Sequence, residues 1–427
     1  MRIDHLLIQN YCCFESFELK LNPQFNLLVG DNASGKTSLL DAIHISAGSW
    51  LLGVDVPRRA PAIGDEDVRL VAFKQNNRRY SFEKQYPVSI RASGVVMGEP
   101  VSWMRERVSD RSTTRYGDAE AILDIGRKTV ASLRSGESVI LPLISSYGTE
   151  RLWIEPDRVR RNGPVSSSWN SERPTRLLGY RNIQFLIHEE ALFDWLAKET
   201  FAGLQEGSTS PALRVVTQAI VGCIDDAEDL YYDIRREDVV VTFKQHGTHP
   251  YSHLSDGQRA MLSLVGDIAK KAIQLNSDLN EKVLEETPGI VTVDELDLHL
   301  HPKWQRRVIQ DLKRTFPKIQ FVATTHSPQL IGEAEPAEII RLGGQESQSA
   351  AQSFGMDSNW ILTHVMSADK RDEGVERKFE KVEQLIASLK LDEAKAVVNQ
   401  IRHEIRGNHP ELVRLSARID RLAGKAK

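Results

Sequence analysis

Gly30-Asp31-Asn32-Ala33-Ser34-Gly35-Lys36-Thr37 is the first stretch whose residue types and spacing could do chemistry. It fits the pattern G-x-x-x-x-G-K-[ST]. The glycines let the backbone curl until its N–H groups face phosphate oxygens. A helix opening at Lys36 would add an anion-favouring N-terminus. Lys36 would reach the β- and γ-phosphates of ATP, and the Thr37 hydroxyl would hold Mg2+. Gly30, Asn32, Ala33, Ser34, Gly35, Lys36, Thr37 and Ser38 are therefore the expected nucleotide-binding residues. Far downstream, Ile290-Val291-Thr292-Val293-Asp294-Glu295 is an apolar run ending in two carboxylates. Asp294 is expected to hold Mg2+ and Glu295 to polarise the attacking water. Ser255, in Leu254-Ser255-Asp256-Gly257-Gln258-Arg259, precedes a long apolar-periodic segment, and an N-cap alone would account for it. His326 follows the run Ile319–Thr324.

These groups need strands and helices to hold them. Ile3–Gln9, Phe17–Leu21 and Phe25–Val29 have strand composition, and Lys36–Ala47 has helical spacing. Val68–Phe73, Tyr80–Lys84 and Val88–Val96 alternate as antiparallel strands do. Asp118–Leu133 is expected as a helix and Val139–Ser145 as a buried strand. Residues 155–175 are rich in Pro, Arg and Ser and are expected to form a long loop. Ile183–Phe201 and Pro211–Cys223 should be helical, with strands near Leu230–Ile234 and Val239–Phe243. Ser255–Ile273 and Pro302–Thr315 are expected helices flanking the strand Ile290–Val293. Ile319–Thr324 is a further strand, Gly343–Ser353 a polar loop, and the chain from Asp372 onward helical.

Composition limits the functions available. The chain has 427 residues, 41% hydrophobic and 27% charged, with a formal net charge of -4. That is an ordinary globular mixture with no global cationic field for nucleic acid. Three cysteines, Cys12 and Cys13 adjacent, make no disulfide framework. No apolar run is long enough to span a bilayer and the first residues lack a signal pattern, so a cytoplasmic location with no membrane partner is expected.

In order, the motifs are Gly30–Thr37, which has the Walker A form, Leu254–Arg259, Ile290–Glu295, which has the Walker B form, and Thr324-Thr325-His326-Ser327-Pro328. Together they resemble the RecF, SMC and OLD branch of ABC-type ATPases, over about residues 1–340. The resemblance implies an α/β P-loop NTPase with an ABC-type ATPase head, an antiparallel β subdomain, a helical lobe at about 180–275 and a C-terminal helical appendage. It casts Ser255, Gly257 and Gln258 as the signature acting in trans, Asp297 as the D-loop aspartate and His326 as the switch histidine. Thr287-Pro288-Gly289, the stretch Asp294–Gln305 and Tyr147-Gly148-Thr149 with Arg151-Leu152-Trp153 resemble a bacterial defence group that includes the PtuA-type subunits of Septu antiphage systems. Such subunits work with a PtuB-type HNH nuclease.

The sequence departs from relatives at several points. The segment between Thr37 and Leu254 is too short for SMC-type arms. No Asp-x-Asp follows His326, so a Toprim nuclease is not expected. Cys12 follows Asn10-Tyr11 where many relatives have a basic residue. No Q-loop glutamine is assigned. The expected layout is a head at 1–343, a linker at 344–371 and an oligomerisation or docking segment at 372–427. The expected activity is Mg2+-dependent ATP hydrolysis in a homo-oligomer, at least a dimer, that controls an HNH nuclease and meets DNA through that complex. The alternatives are a RecF-like repair ATPase binding DNA directly and a nucleotide-sensing scaffold with little turnover.

Overall fold

Apolar residues recur on one face of β1 (Arg2–Tyr11) and β2 (Phe14–Lys20), and the two pair antiparallel. A bulge between Ile3 and His5 lets Ile3, Leu6 and Ile8 all turn inward, each fully buried. The computed structural model describes residues 1–54, 60–74, 80–152, 176–180, 189–343, 346–349, 353–366, 373–405 and 409–425. The expected loop at 155–175 lies outside them. So do residues 183–188 of an expected helix and residues 344–345, 350–352 and 367–371 of the expected linker.

Next in the chain come β3 (Phe25–Gly30) and α1 (Lys36–Ala47). A separate hairpin, β4 (Leu70–Lys74) and β5 (Tyr80–Lys84), precedes β6 (Val88–Val96) and β7 (Glu99–Arg107). The order β2-β1-β6-β7 forms the antiparallel subdomain. Its strand β7 was not anticipated, because Glu99-Pro100-Val101-Ser102-Trp103 carries little apolar alternation. Met97 and Gly98 turn the chain with φ of 51° and 86°, which fixes the β6–β7 hairpin. Helix α2 (Glu120–Arg134) leads to β8 (Leu143–Tyr147), two residues later than its apolar run suggests at its C-terminal end.

Helices α3 (Glu189–Glu206) and α4 (Pro211–Cys223) then pack with α5 (Asp256–Leu275). The expected helical lobe also holds a three-stranded sheet, β9 (Ala227–Asp233), β10 (Asp238–Phe243) and β11 (Gly247–Pro250). The first two match the expected strands. The third, Gly-Thr-His-Pro, has no apolar signal.

The sheet that positions the chemistry is completed by β12 (Gly289–Val293), β13 (Ile319–Thr324), β14 (Ile339–Gly343) and β15 (Glu346–Ser349). Its order is β15-β14-β3-β13-β12-β8, and every pair except β14–β15 is parallel. Strands β8, β12 and β13 are buried throughout, as expected where both faces of a parallel sheet are covered. The buried Gln320 amide ties this sheet to β1, accepting from Ile3 N–H at 2.9 Å and donating to Ile3 O at 2.7 Å. Strand β15 corrects the expected loop at Gly343–Ser353. It is an edge strand of polar composition, so hydrophobic patterning could not reveal it.

The expected helix Pro302–Thr315 is also corrected. It breaks into a one-turn helix, Pro302–Gln305, and α6 (Val308–Thr315). Helix α7 (Pro328–Glu333) follows β13.

The chain divides into two units, Met1–Met356 and Asp357–Lys427. The second holds α8 (Ser358–His364), α9 (Glu373–Ala387), α10 (Leu391–Ile405) and α11 (Pro410–Lys425). Phe379, Val382, Ile386, Ala394, Val398, Ile401, Leu412, Leu415 and Ile419 form its core. Leu389 is apolar yet 70% exposed with φ of 58°, because it makes the turn between α9 and α10.

Candidate nucleotide site

Strand β3 ends at Gly30 and α1 begins at Lys36, so loop 31–35 is delivered at the C-terminal edge of the parallel sheet. Ligands in open α/β sheets bind at that edge. Ala33 and Gly35 have φ of 64° and 88°, and these left-handed steps curl the loop. A Cβ on Gly35 would lie 2.3 Å from Phe14 Cζ and 2.7 Å from Cys13 Sγ. Only glycine fits there, since the β1–β2 turn presses on the loop. Asn32, Ala33 and Ser34 fill the loop, and Ser38 follows Thr37 on the first turn of α1.

Lys36 Nζ donates to Gly30 O at 2.8 Å and Asp31 O at 2.9 Å. Burial pulls its ammonium below the ordinary value, while Asp294, Asp31 and Glu295 pull it back up. The loop carbonyls thus hold a cation that phosphate oxygens could take over.

Strand β13 lies between β3 and β12, and this order brings three motifs together. Thr37 Oγ1 donates to Asp294 Oδ2 at 2.9 Å. Thr324 Oγ1 donates to Asp294 Oδ1 at 2.5 Å and accepts from Glu295 N–H at 2.7 Å. Thr325 Oγ1 donates to Asp297 Oδ1. The Thr324-Thr325 pair before His326 therefore orients both acidic motifs. Each threonine was visible in the sequence, but its target was not.

Arg151 was likewise visible without a role. It is 2% exposed, and burial pulls its guanidinium down to about 10 against the raising effect of Asp294, Glu295 and Asp297. Its Nη1 donates to Asp294 O at 2.6 Å and Gly148 O at 3.1 Å, and its Nη2 to Glu295 O at 2.8 Å.

Beside these groups lies a cleft of about 290 Å³. Thr37, Asp41, Thr149, Glu150 and Asp294 are among its lining residues. Among the described residues Asp41 Oδ1 has no hydrogen-bond partner, and burial, then Asp67 and Asp294, raise its carboxyl to about 7. The Thr37 hydroxyl and Asp294 carboxylate are adjacent oxygen donors. Such donors suit Mg2+, which takes oxygen ligands and keeps several waters.

Other expected residues stand apart from this cluster. Ser255 caps α5, accepting from Gln258 N–H at 3.3 Å, and Gln258 Oε1 accepts in return from Ser255 N–H at 2.9 Å. Ser255 is exposed, whereas Gly257 is buried, and a Cβ there would lie 2.7 Å from His299 O. No hydrogen bond joins the signature residues to loop 30–37 among the described residues. His326 is half-buried at the end of β13, and no hydrogen bond is found on its ring among the described residues. Glu295 and His299 have φ of 47° and 64°, so the segment after β12 carries two left-handed steps.

A family model described as "AAA domain, putative AbiEii toxin, Type IV TA system" matches residues 25–332. The "Retron Ec83 probable ATPase" of Escherichia coli is 33% identical over 430 residues, spanning 87% of this chain and 77% of that protein. "Septu protein PtuA" of Bacillus mycoides is 31% identical over 198 residues, covering 42% of this chain and 27% of that one. The PtuA of Bacillus thuringiensis is 34% identical over 110 residues, again 27% of its own length. The chain thus spans about a quarter of these two Septu proteins.

Proposed function

The chain belongs to this AAA-domain family of P-loop ATPases, and we propose that two copies close head to head around ATP to control a partner nuclease in antiphage defence. The observation that carries the nucleotide part is the Thr37–Asp294 hydrogen bond of 2.9 Å. It puts a P-loop hydroxyl and a strand-end carboxylate together, although they lie far apart in sequence.

In this reading, loop 30–35 and Lys36 hold the triphosphate. Thr37 and Asp294 hold Mg2+, which supplies charge neutralisation for the phosphate oxygens. Glu295 orients a water and accepts its proton as the water attacks the γ-phosphorus. The bond to the β-phosphate oxygen breaks, giving ADP and phosphate. His326, at the end of the neighbouring strand, contacts the γ-phosphate. Ser255, Gly257 and Gln258 belong to the opposite subunit's site. Support for that assignment is the exposure of Ser255 at the N-terminus of α5, where an anion is favoured. Asp297 would face the opposite subunit, and the Thr325 hydrogen bond on its carboxylate supports a fixed orientation for it.

The partner part rests on the likeness to retron and Septu ATPases. The partner is an HNH nuclease, and DNA is met through that complex. The helices of residues 372–427 serve as the docking or oligomerisation segment. No described helix is long and apolar enough to cross a membrane.

The test uses purified protein with Mg2+ and ATP, alone and with its co-expressed nuclease. Lys36→Ala should lose ATP binding. Glu295→Gln should bind ATP but hydrolyse it at least about 100-fold more slowly. DNA cleavage by the complex should respond to ATP in the wild type and lose that response in Lys36→Ala. Cleavage indifferent to both ATP and Lys36→Ala would overturn nuclease control. Wild-type hydrolysis in Glu295→Gln would overturn the role of Glu295.

A further inference from the structure

We infer that Arg151 is the positioning residue of ATP hydrolysis, holding the backbone turn that aims Glu295 without itself touching nucleotide. The inference rests on the assignment of Glu295 above. The problem it solves is geometric. Strand β12 stops at Val293, so the Asp294 and Glu295 carbonyls lie beyond its ladder, and within the turn Glu295 O accepts from Leu298 N–H at 2.9 Å. Glu295 also takes a left-handed φ of 47°, which a residue with a Cβ avoids unless its surroundings impose it. Something must fix that turn, because a carboxylate displaced by an ångström no longer orients its water.

Arg151 meets the need. Its planar fork reaches both carbonyls, Asp294 O at 2.6 Å and Glu295 O at 2.8 Å. Its third bond, to Gly148 O at 3.1 Å, closes its own loop. A fork with five fixed donors suits two adjacent acceptors, whereas a lysine ammonium would satisfy one well.

The loop that carries Arg151 is anchored at its other end. Tyr147 O accepts from Asp294 N–H at 2.8 Å. Tyr147 OH donates to Asp267 Oδ2 at 2.8 Å, and Asp267 pairs with Lys271 at 2.6 Å, both on α5. Residues 147–151 therefore grip the Asp294–Glu295 step from the amide side and the carbonyl side. The same segment is tied to the helix whose N-terminus carries Ser255. Movement of α5 when a second subunit engages Ser255 would reach Glu295 through this bracket.

The test compares Arg151→Ala and Arg151→Lys with the wild type and with Glu295→Gln. It reads kcat, KM for ATP, direct ATP binding and the thermal midpoint. Arg151→Ala should lower kcat about 100-fold while KM and ATP affinity stay within about three-fold, and Arg151→Lys should recover part of the loss. In the Glu295→Gln background, Arg151→Ala should cost almost nothing further, because the group it aims is gone. Unchanged kcat in Arg151→Ala would overturn the inference. So would equal losses of kcat and ATP affinity alongside a collapsed thermal midpoint, which mark a general structural role. If Arg151→Ala does not fold, Arg151→Lys is judged by the same split between kcat and affinity. Glu295→Gln alone separates the two claims. If it hydrolyses ATP like the wild type, the assignment of Glu295 fails. If it is inactive while Arg151→Ala is fully active, only the role of Arg151 fails.

Discussion

Thr324 is fully buried and holds both halves of the Asp294–Glu295 step. Thr324→Val keeps the shape but orphans one carboxylate oxygen and one N–H. Leaving buried polar groups unpaired costs about 1–3 kcal/mol, so denaturant unfolding should show that loss together with slower hydrolysis. Unchanged stability would mean that water replaces the hydroxyl. Asp41 gives a pH prediction. Its folded carboxyl titrates near 7, raised first by burial and then by Asp67 and Asp294, whereas an unfolded aspartate titrates near 3.9. Between about pH 4 and 7 the folded chain keeps a proton that the unfolded chain has released, so this group makes stability fall as pH rises. Comparing thermal midpoints of nucleotide-free protein at pH 5 and 7.5 should show a smaller fall for Asp41→Asn than for the wild type. Equal falls would clear Asp41 of the effect. Much at this scale was legible, because the residue types at 30–37 and 290–295 state their own chemistry. The threonine and arginine partners were not, since a buried hydroxyl or guanidinium declares its target only once strand order is known.

Among the elements, the parallel sheet was easiest to anticipate. Strands β3, β12 and β13 are mostly apolar runs, and α1 and α4 match their expected bounds. Strands β7, β11 and β15 escaped because they are polar and owe their place to backbone pairing. The break between Pro302–Gln305 and α6 escaped because apolar spacing runs straight through it. At the contact between α5 and the segment after β12, Gly257 packs on His299 O, and an added Cβ would lie only 2.7 Å from that oxygen. Backbone must shift to accept it, so Gly257→Ala should slow hydrolysis several-fold while Ser255 still caps α5. Circular dichroism would confirm the helix, and a steady-state assay would read the rate. A rate equal to wild type would show that the contact has slack.

The whole chain separates a unit containing every nucleotide motif from a unit with its own core. Val398, 1% exposed, lies in that second core. Val398→Asp buries an unpaired charge and should unfold the helices beyond Asp357. ATP affinity should stay within about two-fold of wild type, while capture of the co-expressed nuclease is lost. Retained capture would move the docking site onto the first unit. The near-neutral net charge of -4 set aside a global cationic field at the outset, and it fits the proposed division of labour with a partner nuclease. Within one chain the signature residues make no hydrogen bond to the P-loop among the described residues. The central claim is that ATP joins two heads through Ser255. Its most direct test is the solution mass of Glu295→Gln with and without Mg2+-ATP, beside the same protein carrying Ser255→Arg. The account predicts an ATP-dependent rise in mass by whole subunits that Ser255→Arg abolishes. An unchanged mass with ATP demonstrably bound, or a rise indifferent to Ser255→Arg, would contradict it.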